Sequence, residues 1–303
     1  MTRGASALGL SVLLLAAGCT ASKLTKVASQ VAAEQGVISE EQKGAIDRTS
    51  EAFRESFEDL TEEEEFYLGR AVAAEILARY PLRAEDDLSA YVRRVGRAVA
   101  AYSPRPETYQ GYRFAILEDA QPNAFAAPGG FVFLTTGLLA LVANEEQLAA
   151  VLAHEVAHVA ERHGLASIQK SRLTEAFTIL GREAGAALDQ KQLLQLVDVF
   201  EGAVGDVAKT LLETGYGRTQ EEEADRVALG IVAALGYRSD GLPSVLSTLS
   251  ARAKDAGTPA MFRSHPPSEQ RERALARQVD SARDASIDTS LRDARFGRAR
   301  RAL

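Results

Sequence analysis

The chain has 303 residues, 46% hydrophobic and 25% charged, enough to fill the core of one large domain or two small ones. A formal net charge of -7 argues against nucleic acid as a main partner. The one cysteine, Cys19, excludes an internal disulfide, and beyond the first 18 residues no segment is long and apolar enough to span a bilayer.

Residues 1–18, MTRGASALGLSVLLLAAG, place Arg3 ahead of an apolar run at 5–17 and a small Gly18, the pattern of an export signal. Leu15-Ala16-Ala17-Gly18-Cys19 resembles a bacterial lipobox, with Ala16 where Leu is commoner; this implies cleavage before Cys19 and lipidation there. The alternative is a plain secretory signal with an incidental cysteine. Residues 19–57 are polar and read as a lipid-anchored tether with weak amphipathic helices at 27–33 and 46–57. Residues 34–65 carry twelve acidic and three basic side chains, and 271–303 five acidic and nine basic; both read as solvated helix faces.

Thr61 before four glutamates predicts an N-cap and a negative first turn on a helix that runs to about residue 80 and stops at Pro81. A second helix fits 84–102. The period then changes: 112–117 alternates as a strand, 124–126 is short and extended, and 131–136 is another strand after the Pro128-Gly129-Gly130 turn. These strands either offer an edge to an extended peptide or only cover the core. A helix at 138–142, opened by Gly137, leads into residues 144–164, NEEQLAAVLAHEVAHVAERHG.

That stretch reads as a buried helix, with Asn144 as N-cap, Gly164 as its stop, and Leu148, Val151, Leu152, Val156 and Val159 spread around it. It contains His-Glu-x-x-His as His154, Glu155 and His158. Four residues apart on a helix, the two imidazoles leave one face and can reach one metal ion at about 2.0–2.1 Å. Glu155, about 100° round, is placed to take a proton from a water that such an ion acidifies.

Residues 165–217 predict two helices, near 168–188 and 190–212, that are either packing or a mobile cover over a cleft. The next helix opens with Gly217-Arg218-Thr219-Gln220-Glu221-Glu222-Glu223-Ala224-Asp225. Glu221 is the chosen third metal ligand and Asp225, one turn on, the carboxylate that orients a ligand imidazole; Glu223 is the alternative ligand. A helix fits 242–253. His265 lies on a Pro-rigid loop before a last helix capped by Ser268. It reads as a removable fourth ligand, an oxyanion donor or an exposed loop histidine. His163 reads as structural, and 281–303 as a frayed basic C-terminal tail.

Together, 123–139, 144–163, 217–229 and 264–275 resemble the zinc metallopeptidase family of the HtpX, Oma and CAAX-prenyl-protease type, peptidase family M48, and with the lipobox its lipoprotein-anchored bacterial branch. The resemblance implies an α+β, mostly helical, zincin-like domain over residues 58–280, with a small sheet beside the His-Glu-x-x-His helix. It implies one zinc ion per chain on His154, His158 and Glu221, Glu155 as general base, Asp225 behind a ligand, and His265 and Arg271 near the active site as gate or oxyanion stabiliser. It also implies an endopeptidase of the Gram-negative cell envelope, tethered to the periplasmic face of an outer membrane, that degrades misfolded or misassembled envelope polypeptides. Two other readings stand beside it: a chaperone that binds unfolded chains at its strand edge, and a latent peptidase held shut by His265 or by 165–217.

Overall fold

The computed structural model describes residues 60–168, 172, 190–256, 260–267 and 269–303. The expected signal peptide, Cys19 and the tether lie outside the described residues, as do Ser268 and nearly all of the helix expected at 168–188, which is the first half of the segment read as packing or a mobile cover. The chain divides into two compact units, Met1–Leu60 with Ile168–Ala203, and Thr61–Ser167 with Val204–Leu303. All the described candidate site residues belong to the second. No helix of the described residues is long and apolar enough to cross a membrane.

The fold is α+β and mostly helical. Helix α1 (Glu62–Arg79) starts where Thr61 and Glu64 close a capping box: the Glu64 N–H donates to Thr61 Oγ1 at 3.2 Å and the Thr61 N–H to Glu64 Oε2 at 2.9 Å. Helix α2 (Asp87–Ala100) is capped by Asp86. Strands β1 (Arg113–Leu117), β2 (Ala124–Ala127) and β3 (Phe131–Thr135) form one sheet in the order β1-β3-β2. β3 runs parallel to β1, pairing Ala115 with Phe133, and antiparallel to β2, pairing Phe125 with Phe133. The 3-10 turn Pro128–Gly130 that joins β2 to β3 lies against α1. A Cβ on Gly69 would come within 1.8 Å of the Pro128 carbonyl oxygen, so only glycine permits that approach.

Helix α3 (Thr136–Leu141) is capped by Thr135 and includes Gly137 within its first turn. It leads to α4 (Glu145–Ala160), capped by Asn144, whose side chain accepts from the Gln147 N–H at 3.0 Å. Leu148, Val151, Leu152, Val156 and Val159 are all buried, each contributing about 1.5–3 kcal/mol. Helix α4 is the centre of the core, packed against α2, β2, α7 (Arg218–Ala234) and α8 (Gly241–Ala256). Its stop is not Gly164 but Arg162, in the left-handed region at φ 55, which turns the chain into the short α5 (His163–Ala166).

Helix α6 (Gln190–Lys209) ends in a π-turn at Thr210–Thr214. Helices α9 (Met261–Ser264) and α10 (Glu269–Arg277) follow α8. The tail is not frayed. It forms α11 (Ser281–Ser286) and α12 (Ser290–Arg300), with Phe296 and Ala299 buried against the core. The basic residues of α12 do not all face solvent: Arg292 and Arg295 reach two buried acids at the start of α4, Glu146 and Glu145.

Candidate metal centre

His154, Glu155 and His158 leave α4 where it is deepest in the core, and all three are buried. Glu221 lies in the first turn of α7, whose N-cap Gly217 is held by Gln220 reaching back to its N–H at 3.0 Å. The π-turn and Gly215, at φ 74, deliver that helix start. A Cβ on Gly215 would meet the Arg263 carbonyl oxygen at 2.4 Å, so the segments before Glu221 and before His265 run in direct contact. The Tyr216 N–H donates to the Ser264 carbonyl at 3.0 Å, and Ser264 Oγ donates to Asn123 Oδ1 at 3.0 Å. His265 is thereby fixed against the turn that precedes β2, and it is buried rather than exposed on a loop.

Four donors converge. His154 Nε2 lies 3.1 Å from His158 Nε2 and 3.3 Å from His265 Nδ1. Glu221 Oε1 lies 3.0 Å from His265 Nδ1 and 3.5 Å from His158 Nε2, and Glu221 Oε2 lies 3.5 Å from His154 Nε2. All four ligand atoms fall within 4.8 Å of one another. Tetrahedral bonds of about 2.0–2.1 Å put neighbouring donors about 3.3 Å apart, so this His, His, Glu and His set fits a zinc-sized cation in spacing and in chemistry.

Each α4 imidazole is held from behind at Nδ1. Asp225 Oδ1 is 3.0 Å from Nδ1 of His154. His158 Nδ1 is 2.9 Å from His163 Nδ1, and His163 Nε2 is 3.3 Å from Glu223. Such contacts fix tautomer and ring orientation. Glu223 therefore faces His163 and is absent from the four-donor set. Arg271, also buried, clasps Asp225 through Nε at 2.5 Å and Nη2 at 2.9 Å, and pairs with Glu221 through Nη1. It thus balances two acids that burial would otherwise penalise. Tyr216 stacks on His158, ring centroids 4.0 Å apart and planes within 14°, while its hydroxyl donates to the Ala126 carbonyl of β2 at 3.3 Å.

Glu155 differs from every other acid in the cluster. Neither of its carboxylate oxygens has a hydrogen-bond partner, and His265 Nε2 stands 3.4 Å from Oε1. Burial pushes its carboxyl up from the ordinary range. Burial works against the charge on Glu221 too, but His265, His154 and Arg271 around it hold it well below that range. Burial presses His154 towards neutrality, and its bonds to Asp225 and Glu221 outweigh this and lift it to about 9. His158, desolvated and beside that charge, is held well below its usual value. A carboxylate with both oxygens idle beside a cation-shaped donor set can accept a proton from a water there.

Tyr216 and the contact between His163, which reads as structural from sequence, and Glu223, the alternative ligand, are the parts of this site that the sequence does not show. His163 follows His158 by five residues, which on a continuous helix faces elsewhere; the left-handed Arg162 returns it. Tyr216 has no periodic signal at all. Its only flag is its place just before the acidic helix start.

Residues 86–279 match the model of peptidase family M48. The chain is 26% identical over 208 residues to the beta-barrel assembly-enhancing protease of Yersinia pestis, covering 68% of this chain and 42% of that one. It is 28% identical over 237 residues to the mitochondrial metalloendopeptidase OMA1 of Schizosaccharomyces pombe, covering 76% and 65%. To the metalloprotease YcaL of Escherichia coli strain K12 it is 33% identical over 172 residues, covering 56% and 63%. The chain spans less than two thirds of the length of each of these three curated relatives.

Proposed function

The chain belongs to peptidase family M48, and from that premise we propose that it is a zinc-dependent endopeptidase that degrades misfolded or misassembled polypeptides of the bacterial cell envelope. One observation carries the peptidase reading: Glu155, buried with both oxygens idle, beside four convergent donors. His154, His158 and Glu221 would hold the metal, and a zinc ion there would supply polarisation of a peptide carbonyl and a water whose pKa is lowered towards ~7. Glu155 would take that water's proton and pass it to the leaving amine, and burial raises its carboxyl above the ordinary range, the direction that suits a general base. Asp225, His163 and Tyr216 keep the two α4 imidazoles aimed. Arg271 keeps Glu221 and Asp225 charged.

The envelope assignment is supported by the export-signal pattern and lipobox ending at Cys19, and by the name of the Yersinia pestis relative, which enhances beta-barrel assembly. On this reading Cys19 carries the lipid, residues 19–57 form the tether to the periplasmic face of the outer membrane, and the substrates are unfolded or misassembled envelope polypeptides. A chaperone role for the same surface is the alternative.

A latent form is favoured by one specific contact. His265 takes the fourth place in the donor set, the position an open catalytic site keeps for water, and faces Glu155 at 3.4 Å. The test is casein cleavage by the zinc-loaded chain, with and without a chelator, beside His265→Ala. Chelator-sensitive cleavage by the unaltered chain establishes an open peptidase. Cleavage by His265→Ala alone makes His265 the gate. Silence from both, with zinc bound, favours the chaperone.

A further inference from the structure

We propose that a second site, at the far end of α4 from the metal centre, binds a phosphate group carried on an apolar body. The site is a cavity of about 640 Å³ between α2 and α12. It lies beside Glu145, ten residues before Glu155 and so about 15 Å away along the helix. Its volume is that of an ordinary small-molecule site.

Three guanidiniums line it: Arg94 from α2, and Arg295 and Arg298 from α12. Arg295 is committed to Glu145, which also accepts from the hydroxyls of Tyr91 and Tyr237, so this buried carboxylate has nothing left for the other two. The side chains of Arg94 and Arg298 make no hydrogen bond or ion pair with any described residue. One lining carboxylate, Asp87, stands against the three cations. Like charges gathered round a concavity repel one another until an anion arrives, and the concave shape raises the local anion concentration. Guanidinium matches phosphate geometry two bonds at a time, which a point-charge ammonium does not.

The walls set the rest of the ligand. Tyr91, Val95 and Tyr237 line the space between the arginines, so a bare phosphate ion would leave most of the cavity unfilled. An anionic phospholipid headgroup and a soluble phosphate ester share the required chemistry. Three of the nine lining residues, Arg295, Arg298 and Ala299, come from α12, beyond residue 279 where the family match ends, so one wall of the site lies outside the part of the chain the family model covers.

The experiment is calorimetric titration of the full, zinc-loaded chain with dihexanoyl phosphatidylglycerol, with sn-glycerol 3-phosphate and with inorganic phosphate, repeated on the double variant Arg94→Ala/Arg298→Ala. Both side chains are exposed and unpartnered, so the variant is expected to keep its thermal midpoint and its zinc. Saturable binding of phosphatidylglycerol, weakened at least tenfold in the variant, supports the site and makes a lipid headgroup the source. The same result with glycerol phosphate at equal strength supports it with a soluble ester as the source. Binding that is unchanged in the variant, or no binding of either organic phosphate at millimolar concentration, overturns it. Inorganic phosphate binding as tightly as both overturns the apolar body.

Discussion

The two ends of α4 bury acids in opposite ways. At its start, Glu145 accepts from Tyr91, from Tyr237 at 2.7 Å and from Arg295, while Glu146 accepts from the Arg238 backbone N–H at 2.6 Å and from Arg292 at 2.7 Å. Two turns and a half further on, Glu155 is as deeply buried and has no hydrogen bond. A buried carboxylate without hydrogen bonds costs stability, and the His265 ring 3.4 Å away and the charges of His154 and Arg271 offset that only in part, since burial still raises its carboxyl. Satisfied acids at one end anchor the helix. The unsatisfied acid at the other is the one the proposed proton transfer calls for.

The strongest way to break this contrast is Glu155→Gln. Peptidase rates are expected to fall by about 10²–10⁴, the usual worth of general acid–base catalysis, while bound zinc is retained and thermal stability is unchanged or slightly raised. Activity near the unaltered level, or a marked loss of stability, would put Glu155 in the same class as Glu145. Next in size is Glu145→Ala. It strands two buried tyrosine hydroxyls and a half-exposed guanidinium, and is expected to cost roughly 2–4 kcal/mol in denaturant unfolding. Its effect on catalysis should follow the folded fraction alone.

The same contrast explains what sequence can and cannot show. His154, Glu155 and His158 are legible because one helix fixes their relation, and Glu221 and Asp225 because the same four-residue spacing places both on one face of α7. The helices and the three strands follow from caps, proline stops and alternation. Glu145 and Glu146 look like an ordinary acidic first turn, and Arg292 and Arg295 like solvated tail charges, since the pairs that join them lie about 150 residues apart. Glu65 is hidden in the same way. Within a run of four glutamates, it alone is fully buried, and it holds Arg105 at 2.8 Å, Arg162 at 3.2 Å and the Gly129 N–H at 3.0 Å. Periodicity reports which face of an element is buried, not which distant charge meets it there.

A smaller test sharpens the distinction within the metal centre, where the two α4 imidazoles are backed unequally. Asp225 holds His154 directly and is itself clasped by Arg271, whereas His158 rests on His163, whose own partner Glu223 is half exposed. His163→Ala is expected to weaken zinc binding by about 10–100-fold in chelator competition, the usual cost of losing such a support. Glu223→Gln, one step further out and partly screened by solvent, should cost less than tenfold. Equal losses from the two variants would mean that the charge on Glu223, and not the aim of the His163 ring, sets the strength of the site.

The smallest expected effect is a pH slope that belongs to the anchoring end. Burial pushes the Glu145 carboxyl up, but hydrogen bonds from Arg295, Tyr91 and Tyr237 outweigh it and hold the group below its ordinary value of 4.5. A carboxyl depressed on folding adds stability that is complete above its unfolded pKa and is lost as pH falls through its folded one, because the unfolded chain takes up the proton first. Acid also protonates the metal ligands, so the slope of the unaltered chain alone is not diagnostic. The difference between that chain and Glu145→Gln is. Measured by denaturant unfolding, it should be constant near neutral pH and shrink as pH drops below about 4.5, since the glutamine has no charge to lose. A difference that grows with acid instead would mean that Glu145 enters the fold protonated, and that the start of α4 is held by neutral hydrogen bonds and not by the arginine.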